Sequence, residues 1–426
     1  MKKVVLLILT LIALKASGQD TIYVRRMVDS LTSPSFNGRG FVNEGNKTAA
    51  YFLDNEFRKF KLLKFGNSYM QPYYKSINTF PGKMDISFDN TLLKPDVDYL
   101  VELSSPAIKG EYKIVKLDST NFNSQKKIDK YLKRDYKNKF ILIDKEGITD
   151  TLVTKFLHSL NYENKFKAKG YIYINDKLIW DASDGIYVKD FVKITITRNL
   201  LSTIKPKRIS IEIEAEFQSH YRLYNIVGYV KGKSNPDSFY VFTAHYDHLG
   251  RMGKDTYFPG ANDNASGTSM VLDLAHYYSK PENQPEYSIA FILFSGEECG
   301  LWGSKYYSSH PLFPLSNIKF LINFDMVGTG SEGITVVNAT IYKHEYEKLV
   351  ELNKKNNYLK AVVERGESCN SDHCPFYQAG VPSIFIYAMG GEDTEYHNIF
   401  DTAAKLPFTK YSEIFKLLVD YIKNYE

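Results

Sequence analysis

Four apolar runs in the second half of the chain each stop at a polar cluster, and this repeat limits what the chain can fold into. "SFYVFTA" runs into His245, Asp247 and His248, and "YSIAFILF" leads to Glu297 and Glu298. "IKFLINF" ends at Asp325, and "VPSIFIYAM" is followed by an acid- and glycine-rich loop that carries His397. Continuous apolar runs of this length read as strands buried on both faces. Helical patterns lie among them: "NASGTSMVLDLAHYY", with Asn264 as the expected N-cap, "IYKHEYEKLVELNKKN", and a closing "KLPFTKYSEIFKLLVDYIKNY". Buried strands alternating with helices predict an α/β fold, a mixed, largely parallel sheet with helices on both faces. In open sheets of this kind ligands bind beyond the carboxyl ends of the strands. The polar ends would therefore meet on one rim, although they are far apart in sequence.

The first half has a different texture. Residues 19–82 read as a lead-in with two helices: "TIYVRRMVDSL", and a stretch in which Ala49, Phe52, Leu53, Phe57 and Phe60 recur at helical spacing. From 83 to 217 short alternating runs appear, among them "MDISF", "YKIVKL", "VKITITR" and "RISIEI". Period-two alternation predicts strands with one buried face. The Lys-rich "SQKKIDKYLKRDYKN" between them reads as a solvated helix, and no catalytic constellation is evident. The expected organisation is a catalytic unit formed by 19–82 and 218–426, interrupted by a β-rich insert at 83–217.

Residues 1–18 read as a signal peptide: Lys2 and Lys3, an apolar stretch from Val4 to Leu14, then Ala16-Ser17-Gly18. The other reading of this stretch is an uncleaved anchor. No later segment is long and apolar enough to span a membrane. The mature chain is therefore expected in a periplasm or outside the cell. Without residues 1–18 the chain has 51 basic and 49 acidic residues, a near-balance that argues against a nucleic-acid or membrane-surface partner. Three cysteines, Cys299, Cys369 and Cys374, exclude a disulfide scaffold. Cys369 and Cys374 are near enough in sequence to bridge, but short loops often miss disulfide geometry, and three buried thiols are the plainer expectation.

The rim residues have a chemistry in common. Two histidines and several carboxylates are a usual ligand set for zinc in a hydrolytic site. Carboxylates gathered this closely would repel one another without cations. A carboxylate shared by two ions would hold them roughly 3.5–4 Å apart around an activated water. Such a site needs about five ligands and one further carboxylate to take a proton. Asp263, in the loop "PGANDNASG" ahead of a helix, adds to the set.

"AHYDHLG", "PGANDNASGT", "FSGEECGLWGS", "NFDMVG", "SDHCPFYQAGVPSIF" and "YHNIFDT" occur in that order between about 240 and 402. Together they resemble the M28 zinc peptidases of the di-zinc aminopeptidase type, and "GRG" at Gly38–Gly40 is similar to that family's lead-in. The resemblance implies two Zn²⁺ per chain. His245 and Asp325 would hold one, Glu298 and His397 the other, and Asp263 would bridge them. It also implies Glu297 as general base, acting on a zinc-bridging water, and Asp247 as the group that orients His245. Spacing alone leaves open which of Glu297 and Glu298 is base and which is ligand. His248 would be structural or outer-shell, and Asp372 and His373 would support or line the pocket. The insert resembles, more weakly, the protease-associated module of some members. The implied substrates are peptides with a free N-terminus. Alternative readings on the same fold are a glutaminyl cyclase-like or a carboxypeptidase-like activity. A non-catalytic binding module is a third alternative, although such a chain should show gaps in the ligand set.

Overall fold

The computed structural model of the protein describes residues 19–425. The signal-peptide expectation at 1–18 lies outside the described residues.

Eight strands form the central sheet: β1 (Met70–Thr79), β2 (Glu216–Val230), β3 (Asn235–His245), β4 (Tyr287–Phe294), β5 (Ile318–Phe324), β6 (Gly333–Val337), β7 (Val362–Glu364) and β8 (Ser383–Met389). Their spatial order is β1-β2-β4-β3-β5-β8-β6-β7. The middle four, β4-β3-β5-β8, are mutually parallel. On one side β2 is antiparallel to β4 and β1 is antiparallel to β2, and on the other β6 is antiparallel to β8. The four apolar runs of the sequence are thus these parallel strands, and their carboxyl ends share one edge. They are apolar throughout because both faces are covered. Along β3 the side chains alternate: Tyr240, Phe242 and Ala244 enter one cluster, and Phe239 and Val241 the other. The first cluster is closed by the helices Thr21–Leu31, Gly45–Lys59, Gly267–Tyr278, Lys343–Asn356 and Tyr411–Tyr425. The second lies under the shorter helices Trp302–Ser309 and His373–Gln378, through Tyr307 and Phe376. The expected α/β architecture is the one observed.

The lead-in departs from a purely helical reading. Met70–Thr79 is an edge strand paired with β2. Its Pro72 and its alternation of exposed and buried residues suit an edge, where one row of N–H groups needs no partner. Asn264 does not occupy the N-cap position of the helix Gly267–Tyr278, which Ser266 holds. Its Oδ1 nevertheless accepts the Gly267 N–H at 2.9 Å, so the capping contact is made from two residues further back.

Between β1 and β2 lies a second eight-stranded sheet, built from residues 84–213. Four of its strands run parallel: Ile108–Leu117, Lys139–Ile143, Gly170–Asn175 and Val192–Thr197. The helices Gln125–Leu132 and Thr151–Ser159 cover one face, setting Ile128, Val153 and Leu157 against Ile141, Ile143, Tyr171 and Tyr173. The other face, with Phe140, Leu142, Ile172 and Ile174, shares an apolar cluster with Phe41, Phe258 and Trp302 from outside this sheet. The middle strands are therefore buried on both faces, not on one. The tyrosines of "GYIYIN" mimic a polar face in sequence, but they lie under a helix layer.

Candidate metal centre

His245 is the last residue of β3 and is buried. Its Nδ1–H donates to the main-chain carbonyl of Asp247 at 3.2 Å. That bond fixes the tautomer and leaves Nε2 with a lone pair facing the rim. Nε2 lies 3.4 Å from Asp325 Oδ2, 3.5 Å from Asp263 Oδ1 and 4.0 Å from Glu297 Oε2. The second histidine enters from the opposite side. His397 Nε2 is 3.1 Å from both Asp263 Oδ2 and Glu298 Oε2. Asp263 therefore turns one carboxylate oxygen to each histidine. Its position comes from the loop Ala261–Ser266, whose peptide between Asp263 and Asn264 is cis.

The structure brings all the sequence-predicted site residues to one place. His245, Asp263 and Glu298 form one group with ligand atoms within 4.8 Å of one another, and His245, Glu297 and Asp325 form another. Asp247 sits behind them. Its carboxylate oxygens accept the backbone N–H groups of Glu297 and Glu298 at 3.2 and 3.3 Å, while its Oδ1 is 3.7 Å from His245 Nδ1. Asp247 thus supports His245 through its carbonyl and the Glu297-Glu298 turn through its carboxylate. His248 donates from Nδ1 to Glu298 Oε1 at 2.7 Å and leaves Oε2 for the rim. Asp372 and His373 are fully buried and do not line the pocket. Asp372 accepts the Ser304 hydroxyl at 2.5 Å.

Burial and mutual charge govern the electrostatics. Burial raises the Glu297 carboxyl well above its usual range, and His245 only partly offsets this. Burial also pushes Asp247 up to about 6 and Asp372 up to about 7. Burial opposes ionisation of Glu298 too, but His397 and His248 outweigh it and hold that carboxyl well below the usual range. For His397 burial acts downward, yet Glu298 and Asp263 lift it to about 12. A buried cluster with this many carboxylates and two imidazoles is short of positive charge. His245 Nε2 and Asp325 Oδ1 are buried without a hydrogen-bond partner. An orphaned imidazole nitrogen facing the carboxylate oxygens of Asp263 and Asp325 fits divalent zinc.

Two supporting residues lie in strings that carry the resemblance but had no role assigned from the sequence. Arg39, of the "GRG" string, is fully buried. Its guanidinium donates to the carbonyls of Tyr246, Leu31, Pro259 and Gly260 at 2.6–3.0 Å. Burial lowers its pKa to about 10, against the pull of Asp401 and Asp263. Asp401, from "YHNIFDT", accepts the N–H groups of Asn262 and Asp263 at 2.8 and 3.0 Å. Both hold the Asp263 loop through backbone, which residue spacing does not encode. Cys369 and Cys374 form a disulfide, and Cys299 is a buried free thiol. The expectation of three free thiols is corrected here, because the five-residue spacing turns tightly at the start of the helix His373–Gln378 and brings the two Cα atoms to 4.9 Å.

Residues 225–422, which carry the whole cluster, match Peptidase family M28. Aminopeptidase YwaD of Bacillus subtilis (strain 168) is 38% identical to the chain over 181 residues, 40% of this chain and 36% of that protein. Leupeptin-inactivating enzyme 1 of Streptomyces exfoliatus is 32% identical over 164 residues, 37% of this chain and 34% of that protein. The matched stretches thus span about a third of each relative's length. A solved structure of BSAP, a zinc aminopeptidase from Bacillus subtilis, superposes over 96% of both chains with a TM-score of 0.70 at 20% identity. That likeness concerns the fold, and it extends through the inserted sheet.

Proposed function

We propose that the chain is an exported di-zinc aminopeptidase. The observation that carries this reading is the shared carboxylate of Asp263, set between two histidines that each present Nε2. His245 and Asp325 would hold one ion, Glu298 and His397 the second, and Asp263 both. Zinc bound there would supply an activated water and polarise the scissile carbonyl. Glu297 reaches the same centre from the side, 4.0 Å from His245 Nε2, and would take a proton and return it to the leaving amine. Asp247 would keep Glu297 and Glu298 aimed by holding their backbone. A pocket of about 230 Å³, lined by Met326, Phe385, Tyr387 and Tyr396 beside the acidic rim, would receive the first side chain. The similarity to an aminopeptidase supports peptide substrates. Among the described residues no helix is long and apolar enough to cross a membrane.

One observation favours a second reading. Arg365 also lines this pocket, and a guanidinium there could receive a C-terminal carboxylate, as a carboxypeptidase would need. One assay separates the two. The purified chain is incubated with free and N-acetylated peptides, products are identified by mass spectrometry, and zinc is counted alongside. Loss of the first residue from free peptides only, with two zinc ions per chain, is expected. Release from the C-terminus would replace the aminopeptidase reading, and a chain without zinc would remove both.

A further inference from the structure

The inserted sheet reaches the metal cluster at one point. His397 Nδ1–H donates to the Trp180 carbonyl at 2.7 Å, and the Trp180 N–H donates back to the His397 carbonyl at 3.1 Å. Two residues on, the Ile399 N–H donates to Asp96 Oδ2 at 2.7 Å. Trp180 and Asp96 both belong to the insert. His397 itself stands in a loop, in the left-handed region at φ +52°, so no regular element of the catalytic unit dictates its place. Trp180 is held in turn. Its indole N–H donates to the Val101 carbonyl at 2.8 Å, and its ring stacks on Phe258 at 4.7 Å.

From this we infer that the insert is part of the metal centre, with Trp180 and Asp96 as positioning residues for His397. The reciprocal pair with Trp180 fixes the tautomer and aims Nε2 at Asp263 and Glu298. A ligating histidine depends on such an outer partner, whose loss typically weakens metal binding by roughly 10–100-fold. Here that partner comes from a separate sheet. The His245 side of the cluster has no such dependence, because its Nδ1 partner is Asp247 on its own strand end. The insert therefore controls one ion and not the other. The inference rests on the two-zinc reading above.

The test is zinc affinity and stoichiometry by chelator competition on the full chain, independent of turnover. Trp180→Ala removes the indole anchor and the stack. Asp96→Ala removes the Ile399 bond, and Asp96→Asn keeps an acceptor there. Ile128→Ala loosens the insert on its far face and controls for general destabilisation. Circular dichroism checks each fold. We expect Trp180→Ala and Asp96→Ala to weaken one of two zinc ions by about 10–100-fold, with the other unchanged. Asp96→Asn and Ile128→Ala should bind both ions as the parent does. Equal loss of both ions, or the same loss in Ile128→Ala, would overturn the inference, as would unchanged binding in Trp180→Ala and Asp96→Ala. A parent chain that takes up no zinc would instead overturn the two-zinc reading, and the inference with it.

Discussion

Glu297 and Glu298 are adjacent in sequence yet differ in their surroundings. Glu298 is spoken for on both oxygens, by His248 and His397. Glu297 lies among Asp372, Asp325 and Glu298, and His245 only partly offsets their charge. This difference supports the proposed roles, Glu298 as ligand and Glu297 as base. Glu297→Gln keeps size and packing but cannot carry a proton. We expect it to lower kcat by roughly 10²–10⁴-fold with zinc content unchanged, read by steady-state kinetics and metal analysis on one sample. Loss of zinc in that variant would make Glu297 a ligand. Arg39 is a residue of another kind, since it touches only backbone carbonyls. In Arg39→Met those carbonyls lose their donors in a dry interior, at about 1–3 kcal/mol each. Thermal melting of the metal-free chain should show a large drop in Tm. Arg39→Lys should restore little of it, because an ammonium cannot reproduce the fork.

The strands that lead to the proposed ligands were legible in the sequence because each is long and apolar and runs on into a polar cluster. β3, β4 and β5 satisfy this, whereas after β8 the histidine comes only in the loop that follows. β1 was not legible: Pro72 and its exposed positions are those of an edge, and they weaken the strand signal. β6 and β7, at five and three residues, are too short to stand out. Nor could spacing reveal bonds made by backbone, as at Arg39, Asp401 and Trp180. The loop between Cys369 and Cys374 shows what one short element can hold. It contains Asn370, which lines the pocket, and Ser371, which donates to Asp325 Oδ2 at 2.9 Å and accepts from Asn323 of β5 at 2.9 Å. It also contains Asp372, paired with Ser304. The disulfide closes this loop. By loop entropy alone its removal costs about 2 kcal/mol. The double variant Cys369→Ser/Cys374→Ser should therefore melt a few degrees lower. It should also bind zinc more weakly through Asp325, by up to about tenfold. Chelator competition with and without reductant on the parent checks the same point without mutation.

At the scale of the whole molecule, the question is whether the two sheets behave as two bodies. Their seam is apolar as well as polar. Met84, Ile86, Leu103, Trp180 and Ala182 of the insert share one buried cluster with Phe41, Tyr73, Tyr221, Leu249, Met252, Phe258 and Trp302 of the rest of the chain. The insert also enters and leaves through β1 and β2, which are paired neighbours in the central sheet. Separating the sheets would expose large aromatic groups, at about 1.5–3 kcal/mol for each fully buried side chain. A boundary between independent domains is usually smaller and more polar. We therefore expect calorimetry of the zinc-loaded chain to show a single unfolding transition, with calorimetric and van't Hoff enthalpies in agreement. Chelation should move that transition down, since bound metal stabilises only the folded state, without splitting it. Two transitions, with the lower one insensitive to chelator, would mean that the insert melts on its own. The seam through Trp180 would then be too weak to hold His397 as argued above. A single transition would tie the folding of the insert to the integrity of the site, because the contacts that bury its face are continuous with those that place a ligand.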